Sequence, residues 1–115
     1  MVLDNYIKQD FVKQVFMKSC LFVSDIQQAE LLAHVQFNHR RNIIFETSYM
    51  KCAFFNKLKL YHPQVRVISC DSSQSRLLQE IEINKEYPIV FDKVNYLEDV
   101  GIFNKINKMN RILVC

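Results

Sequence analysis

Lys51 stands in a stretch whose residue types could hold a phosphate. The apolar run Ile43-Ile44-Phe45 leads into Glu46-Thr47-Ser48-Tyr49-Met50-Lys51-Cys52, and a helix-like run, Ala53 to Tyr61, leads out. A strand–loop–helix junction offers backbone N–H groups and the positive end of a helix to an anion, with a lysine as counter-charge. Glycines normally open such a loop, because they take positive φ and let the backbone approach the phosphate. Here Phe45 and Met50 stand at two glycine positions. Lys51, Thr47 and Ser48 are therefore the candidate phosphate contacts of a loop that has lost its glycines.

Asp92 closes the apolar run Ile89-Val90-Phe91. A carboxylate at the end of a buried strand can hold a magnesium ion beside a nucleotide. It can equally cap the turn that follows. The next residue is Lys93, which is no general base at neutral pH and puts a cation where a metal would sit. His39-Arg40-Arg41 is the densest basic cluster, and Arg40 and Arg41 are the candidate nucleic-acid contacts; the alternative is a solvated turn before a strand. Cys20, Cys52, Cys70 and Cys115 form no CxxC or CxxH pair, and His34, His39 and His62 lack the HxxxH spacing. Metal binding by these residue types has no motif behind it. Cys52, near a helix start, is a nucleophile candidate with His39 or His62 as base. Glu80, Glu82 and Glu86 read as a solvated helix face.

The elements that must position these residues alternate. Ile7, Phe11, Val12, Val15 and Phe16 mark an amphipathic helix within 2–18. Leu21-Phe22-Val23 reads as an apolar link. Ser24 with Gln27 three residues on predicts a capping box. A second helix is expected through about Phe37, with Ile26, Ala29, Leu32, Ala33 and Gln36 on one side, and a turn over 38–42. Strands are predicted over 41–45, 65–70, 88–92 and 111–115, and helices over 48–61, around Leu77 to Ile83, and over 100–109. Short continuous apolar runs suit parallel strands covered on both faces. The alternation predicts a three-layer α/β fold around a mostly parallel sheet of four or five strands, with an N-terminal helical pair.

Composition fits one domain over 1–115, divided into an N-terminal helix and link, 1–22, and an α/β core, 23–115. Half of the 115 residues are apolar, enough for a core. The single Gly and two Pro disfavour collagen-like, linker-rich and many-turned β architectures. A net charge of +3 is too small to imply nucleic acid. With no apolar leader or membrane-length run, the expectation is a cytoplasmic protein with reduced thiols and no membrane partner.

In its ordered series of motifs the chain resembles the AAA+ ATPases, most closely the ATPase domain of bacterial enhancer-binding proteins, the activators of alternative-sigma-factor transcription. Val23-Ser24-Asp25 with Gln28 and Leu31-Leu32 is similar to that family's entry helix. Asn42-Ile43-Ile44 followed by Glu46 to Lys51 is similar to its strand and Gly-Glu-Ser-Gly-x-Gly-Lys loop. Glu46 and Lys51 match the pattern, while Phe45, Ser48 and Met50 replace glycines. Val65 to Cys70 resembles its second strand, Ile89 to Leu97 its magnesium-binding strand and turn, Phe103-Asn104-Lys105-Ile106 the helix after it, and Arg111-Ile112-Leu113-Val114 the strand that normally carries a sensor residue. The resemblance implies a degenerate P-loop core without the family's lid. ATP and Mg would be its cofactors only if the altered loop still held them.

The expected function is a non-enzymatic regulatory or protein-interaction module on that core. It would act on a transcription- or replication-type AAA+ regulator, or pair with itself. The alternatives are a nucleotide or phosphate sensor without hydrolysis, a small nucleic-acid-binding protein, and a receiver-like signalling domain with Asp71 or Asp92 as phosphoacceptor.

Overall fold

Ile43-Ile44-Phe45, Ile89-Val90-Phe91 and Ile112-Leu113-Val114 are buried along their whole length, because helices cover both faces of the sheet they form. The structure is a computed structural model describing residues 3, 6–34 and 39–115. In chain order its elements are α1 (Asp10–Lys18), β1 (Leu21–Val23), α2 (Ile26–Leu32), β2 (Arg41–Phe45), α3 (Ser48–Tyr61), β3 (Arg66–Ser69), α4 (Gln74–Ile83), β4 (Ile89–Asp92), α5 (Val100–Asn107) and β5 (Ile112–Val114), with a 3-10 turn at Val94–Tyr96. The five strands lie in the order β1-β2-β5-β4-β3, and every pairing is parallel.

Successive residues along each strand point to opposite faces, so the core has two layers. One gathers Ala29 of α2 and Phe54 and Leu58 of α3 over Ile43, Phe45, Val90, Ile112 and Val114. The other gathers Leu77 and Ile81 of α4 and Ile102, Phe103 and Ile106 of α5 over Ile44, Ile68, Phe91 and Leu113. The chain crosses the sheet from β1 through β2 to β3, then returns through β4 to β5. Crossovers of one hand must change face when the direction reverses, which places α2 and α3 opposite α4 and α5.

Several expectations need correction. Leu21-Phe22-Val23 is a strand, not a link: it pairs with β2 in the register Leu21↔Ile43 and forms one edge of the sheet. Three residues are too few to show a period, so sequence could not separate edge strand from connector. The two N-terminal helices do not form a pair. Val12 and Phe16 of α1 pack in the α4–α5 layer, whereas α2 packs with α3. α1 begins at Asp10, and Ile7 ahead of it is buried without being helical; part of the expected 2–18 helix lies outside the described residues. α2 ends at Leu32, and the expected continuation through Gln36 and Phe37 lies outside them as well. Its cap is Asp25 rather than Ser24: Asp25 Oδ1 accepts from Gln28 N at 2.7 Å, and Gln28 Oε1 accepts from Ser24 N. A carboxylate gives the charge-assisted, stronger cap.

Candidate functional site

The β2–α3 connection is only Glu46 and Thr47, so α3 starts directly above the end of a central strand. Thr47 is the N-cap, its Oγ1 accepting from Met50 N at 3.2 Å. Its hydroxyl therefore already serves the helix. Ser48 is the first helical residue and Tyr49 projects into solvent. One turn into α3, Lys51 sends its ammonium across the end of β5 to Asp92, with Nζ 3.0 Å from Oδ1. The two side chains are only 22% and 14% exposed. The residues singled out as phosphate lysine and strand-end carboxylate thus meet, 41 positions apart in the chain, as a half-buried ion pair.

Asp92 Oδ1 also accepts from Lys93 N at 2.7 Å. Lys93 has φ 56°, the left-handed conformation, and among the described residues it is the one non-glycine residue with positive φ. That turn directs its side chain away from Asp92: Lys93 Nζ lies 3.1 Å from Asp71 Oδ2 beyond β3, and Asp71 Oδ1 accepts from Ser69 Oγ at 2.6 Å. The Ser69 hydroxyl first, then Lys93, hold the Asp71 carboxyl below its ordinary range, and Asp71 in turn raises the Lys93 ammonium. Two lysines and two aspartates are thereby paired along the carboxyl ends of β2, β4 and β3. This is the edge of a parallel sheet where ligand crevices form.

A small open cleft of about 240 Å³ lies at the junction, and Tyr6, Glu46, Thr47, Ser48, Lys51 and Asn95 are among the residues that line it. The phosphate candidates Thr47, Ser48 and Lys51 therefore share one concavity. A larger cleft of about 570 Å³ opens beside it between α4 and the 96–99 segment, with Asp71, Ser73, Glu98 and Asp99 on its walls. Asp71, a phosphoacceptor candidate of the receiver-like alternative, stands on this wall, and Ser73 is the cap of α4.

Arg40 and Arg41 lie at the other, amino-terminal end of the sheet. Arg41 opens β2 opposite Ile112. Arg40 Nη2 donates to the main-chain carbonyl of Asn107 at the end of α5, and also to Asn107 Oδ1. Behind them stands a residue that sequence reading overlooked: Arg111 is 2% exposed. Its Nη1 donates to Arg41 O at 3.0 Å and Asn42 Oδ1 at 2.6 Å, and its Nη2 donates to Asn107 Oδ1. No sequence signal marked it, since a lone arginine ahead of an apolar strand reads the same whether covered or solvated.

Among the cysteines, Cys70 is buried, and burial first, then the nearby Asp92 charge, push its thiol up to about 12. Burial likewise pushes Cys115 up to about 12. Cys52 is exposed on α3, so it is not the buried hydrophobe its residue type suggests. Among the described residues, no three His, Cys, Asp or Glu side chains are grouped to hold a metal ion, and no helix is long and apolar enough to cross a membrane.

No family model, curated protein or solved structure matches the chain.

Proposed function

We propose that the chain is a non-catalytic regulatory or protein-interaction module built on a degenerate AAA+-like core. The observation that carries this reading is the Lys51–Asp92 ion pair. The lysine that would meet a phosphate and the carboxylate that would hold a metal neutralise each other at 3.0 Å. Lys93, where a water-polarising acid would be needed, is turned to Asp71. The β2–α3 connection has no positive φ to form an anion nest, and Phe45 and Met50 fill the positions that glycines would open. A metal at Asp92 would compete with the Lys51 ammonium, which lies on Asp92 Oδ1, and no step is routed through magnesium.

What remains is surface. Leu31, Tyr49, Leu60, Ile83, Tyr96 and Val100 are large apolar side chains left exposed. Leu31, Tyr49 and Leu60 lie on the α2–α3 side and Ile83 and Val100 on the α4–α5 side, and the partner, either an AAA+ regulator or a second copy, would cover one of these sets. The receiver-like alternative has less support, because receiver-type sheets run 2-1-3-4-5 and this one runs β1-β2-β5-β4-β3.

The test is an ATPase assay joined to thermal denaturation with ATP, ADP and magnesium, on the wild-type chain and on Lys51→Ala. The expected outcome is no turnover, and no nucleotide-dependent rise in Tm that Lys51→Ala removes. Turnover abolished by that substitution would overturn the reading. A second reading, a nucleotide or phosphate sensor, is favoured by one observation: Thr47, Ser48 and Lys51 line a single cleft. Its signature is a rise in Tm without turnover, lost in Lys51→Ala.

A further inference from the structure

At the amino-terminal end of the sheet, opposite the Lys51 junction, the structure holds a buried cation with no carboxylate partner among the described residues. Arg111 is 2% exposed, and its hydrogen-bond acceptors are all neutral: Arg41 O, Asn42 Oδ1 and Asn107 Oδ1. Its Nε is buried and has no hydrogen-bond partner among the described residues. Arg40 approaches the same Asn107 side chain, so two guanidinium groups share one amide oxygen. No ion pair joins either arginine to a carboxylate among the described residues. Taking a guanidinium out of water costs several kcal/mol unless a counter-charge compensates it, and neutral amide oxygens compensate only in part. Burial, and then the charge of Arg40, depress the Arg111 guanidinium to about 10, as a cation lacking a counter-charge should be.

These groups face an open cleft of about 310 Å³, whose walls are Lys18, Ser19, Arg40, Asn42, Asn107 and Arg111, with Val15 at its side. Among the described residues, three cations and no carboxylate line it. A neighbouring cleft shares Ser19, Arg40 and Asn42, adds His34 and Arg41, and is likewise free of carboxylates. At the other end Asp92 closes β4, and Asp71, Glu98 and Asp99 lie in the loops after the strands; Glu86, in the loop before β4, is not among the described residues that line this cleft. The two ends are about 13 Å apart, taking ~3.3 Å per residue along β2.

We propose that this cleft is an oxyanion site that takes the phosphate group of a small molecule, held by Arg40 and Lys18 at the rim and by Arg111 from below. Planar guanidinium forks match phosphate oxygens in pairs, and an ammonium adds a point charge. The bound anion replaces Asn107 Oδ1 as the acceptor shared by the two arginines and supplies the missing counter-charge. Three cations converging on one concavity suit a single dianionic group. A nucleic-acid backbone needs a stripe of charge along its track. The site is independent of the Lys51 junction and of the function proposed above.

The experiment is thermal denaturation of the full chain with inorganic phosphate, against sodium chloride of equal ionic strength. It is run on wild type, Arg40→Gln, Lys18→Gln and Lys51→Ala. The expected result is a rise of several degrees in Tm at millimolar phosphate in wild type and Lys51→Ala, at least halved in Arg40→Gln and in Lys18→Gln. Both of these side chains are at the surface, so the variants should fold. A second readout is the ¹⁵N–¹H signal of the Arg111 Nε group, which should shift on phosphate addition and stay fixed in chloride. Equal rises in chloride, a shift indifferent to Arg40→Gln and Lys18→Gln, or an unmoved Arg111 signal would overturn the proposal. So would tighter, steeply salt-dependent binding of a single-stranded oligonucleotide, which would assign the cleft to a nucleic-acid backbone.

Discussion

The pairing of Lys51 with Asp92 decides what two candidate residues can do, and it is open to direct measurement. Both side chains are largely withdrawn from solvent, so removing one leaves the other charge poorly solvated. Lys51→Ala should cost about 1–3 kcal/mol by urea denaturation, and Asp92→Asn a similar amount. The double variant should lose less than the sum, a coupling of about 1 kcal/mol; additive losses would show that the pair does not act as one. Thiol reactivity is a second test at this scale. Cys52 is exposed and Cys70 is buried, with its thiol pushed up to about 12. In the native state at pH 8 an alkylating reagent should modify Cys52 within minutes and leave Cys70 intact until the protein unfolds, as peptide mass mapping would show. Residue types alone marked Lys51 and Asp92, since a lysine after a strand and an acid at a strand's end each have a chemistry. Their meeting was not legible, because it depends on β5 bringing β2 and β4 to either side of it. Nor was Arg111: nothing in Asn110-Arg111-Ile112 distinguishes a covered arginine from a solvated one.

Each helix begins on a side-chain cap: Asp25 for α2, Thr47 for α3, Ser73 for α4 and Asp99 for α5, with α1 as the exception. Thr47→Ala should therefore destabilise the chain by about 1 kcal/mol, and Thr47→Ser should recover most of that loss; equal losses would mean that the hydroxyl does not cap. The burial of α1 has a sharper consequence. Phe16 is 1% exposed and Phe54 is fully buried, in opposite layers. If α1 is part of the core, Phe16→Ala should cost about 3–5 kcal/mol, as much as Phe54→Ala. A loss below about 1 kcal/mol would make α1 an appendage. β2, β4 and β5 were readable from sequence because burial on both faces turns their cores into unbroken apolar runs, and β3 because Val65, Val67 and Ile68 form a β-branched run ahead of a turn. β1 was not, since its three apolar residues between two helices read equally as a connector. The side of the sheet that α1 covers was also hidden, because an apolar stripe states that a helix is buried but not against what.

Across the whole molecule, alkaline pH should act through its buried thiols. Cys70 and Cys115 ionise near 9 when the chain is unfolded and at about 12 when it is folded. Between these values the unfolded chain holds fewer protons, so stability falls as pH rises. The contribution is intact below pH 9 and gone by about pH 12. Arg111 has the opposite sign. Burial lowers its pKa in the fold, so any proton it gives up leaves the folded chain first and opposes that decline. The expected curve is a decline in Tm that begins near pH 9, before Arg111 can oppose it. Cys70→Ala should start from a lower Tm and decline less steeply; parallel curves would place the titration elsewhere. The strand order carries one more consequence. β5 is the last strand in sequence and the middle strand in space, bonded to β2 on one side and β4 on the other. During synthesis β1 can pair with β2, and β3 with β4, as each leaves the ribosome. The two half-sheets nevertheless have no common neighbour until the residues around Leu113 emerge. Until that strand inserts, β2 and β4 each present an open edge, and such an incomplete sheet is prone to aggregate.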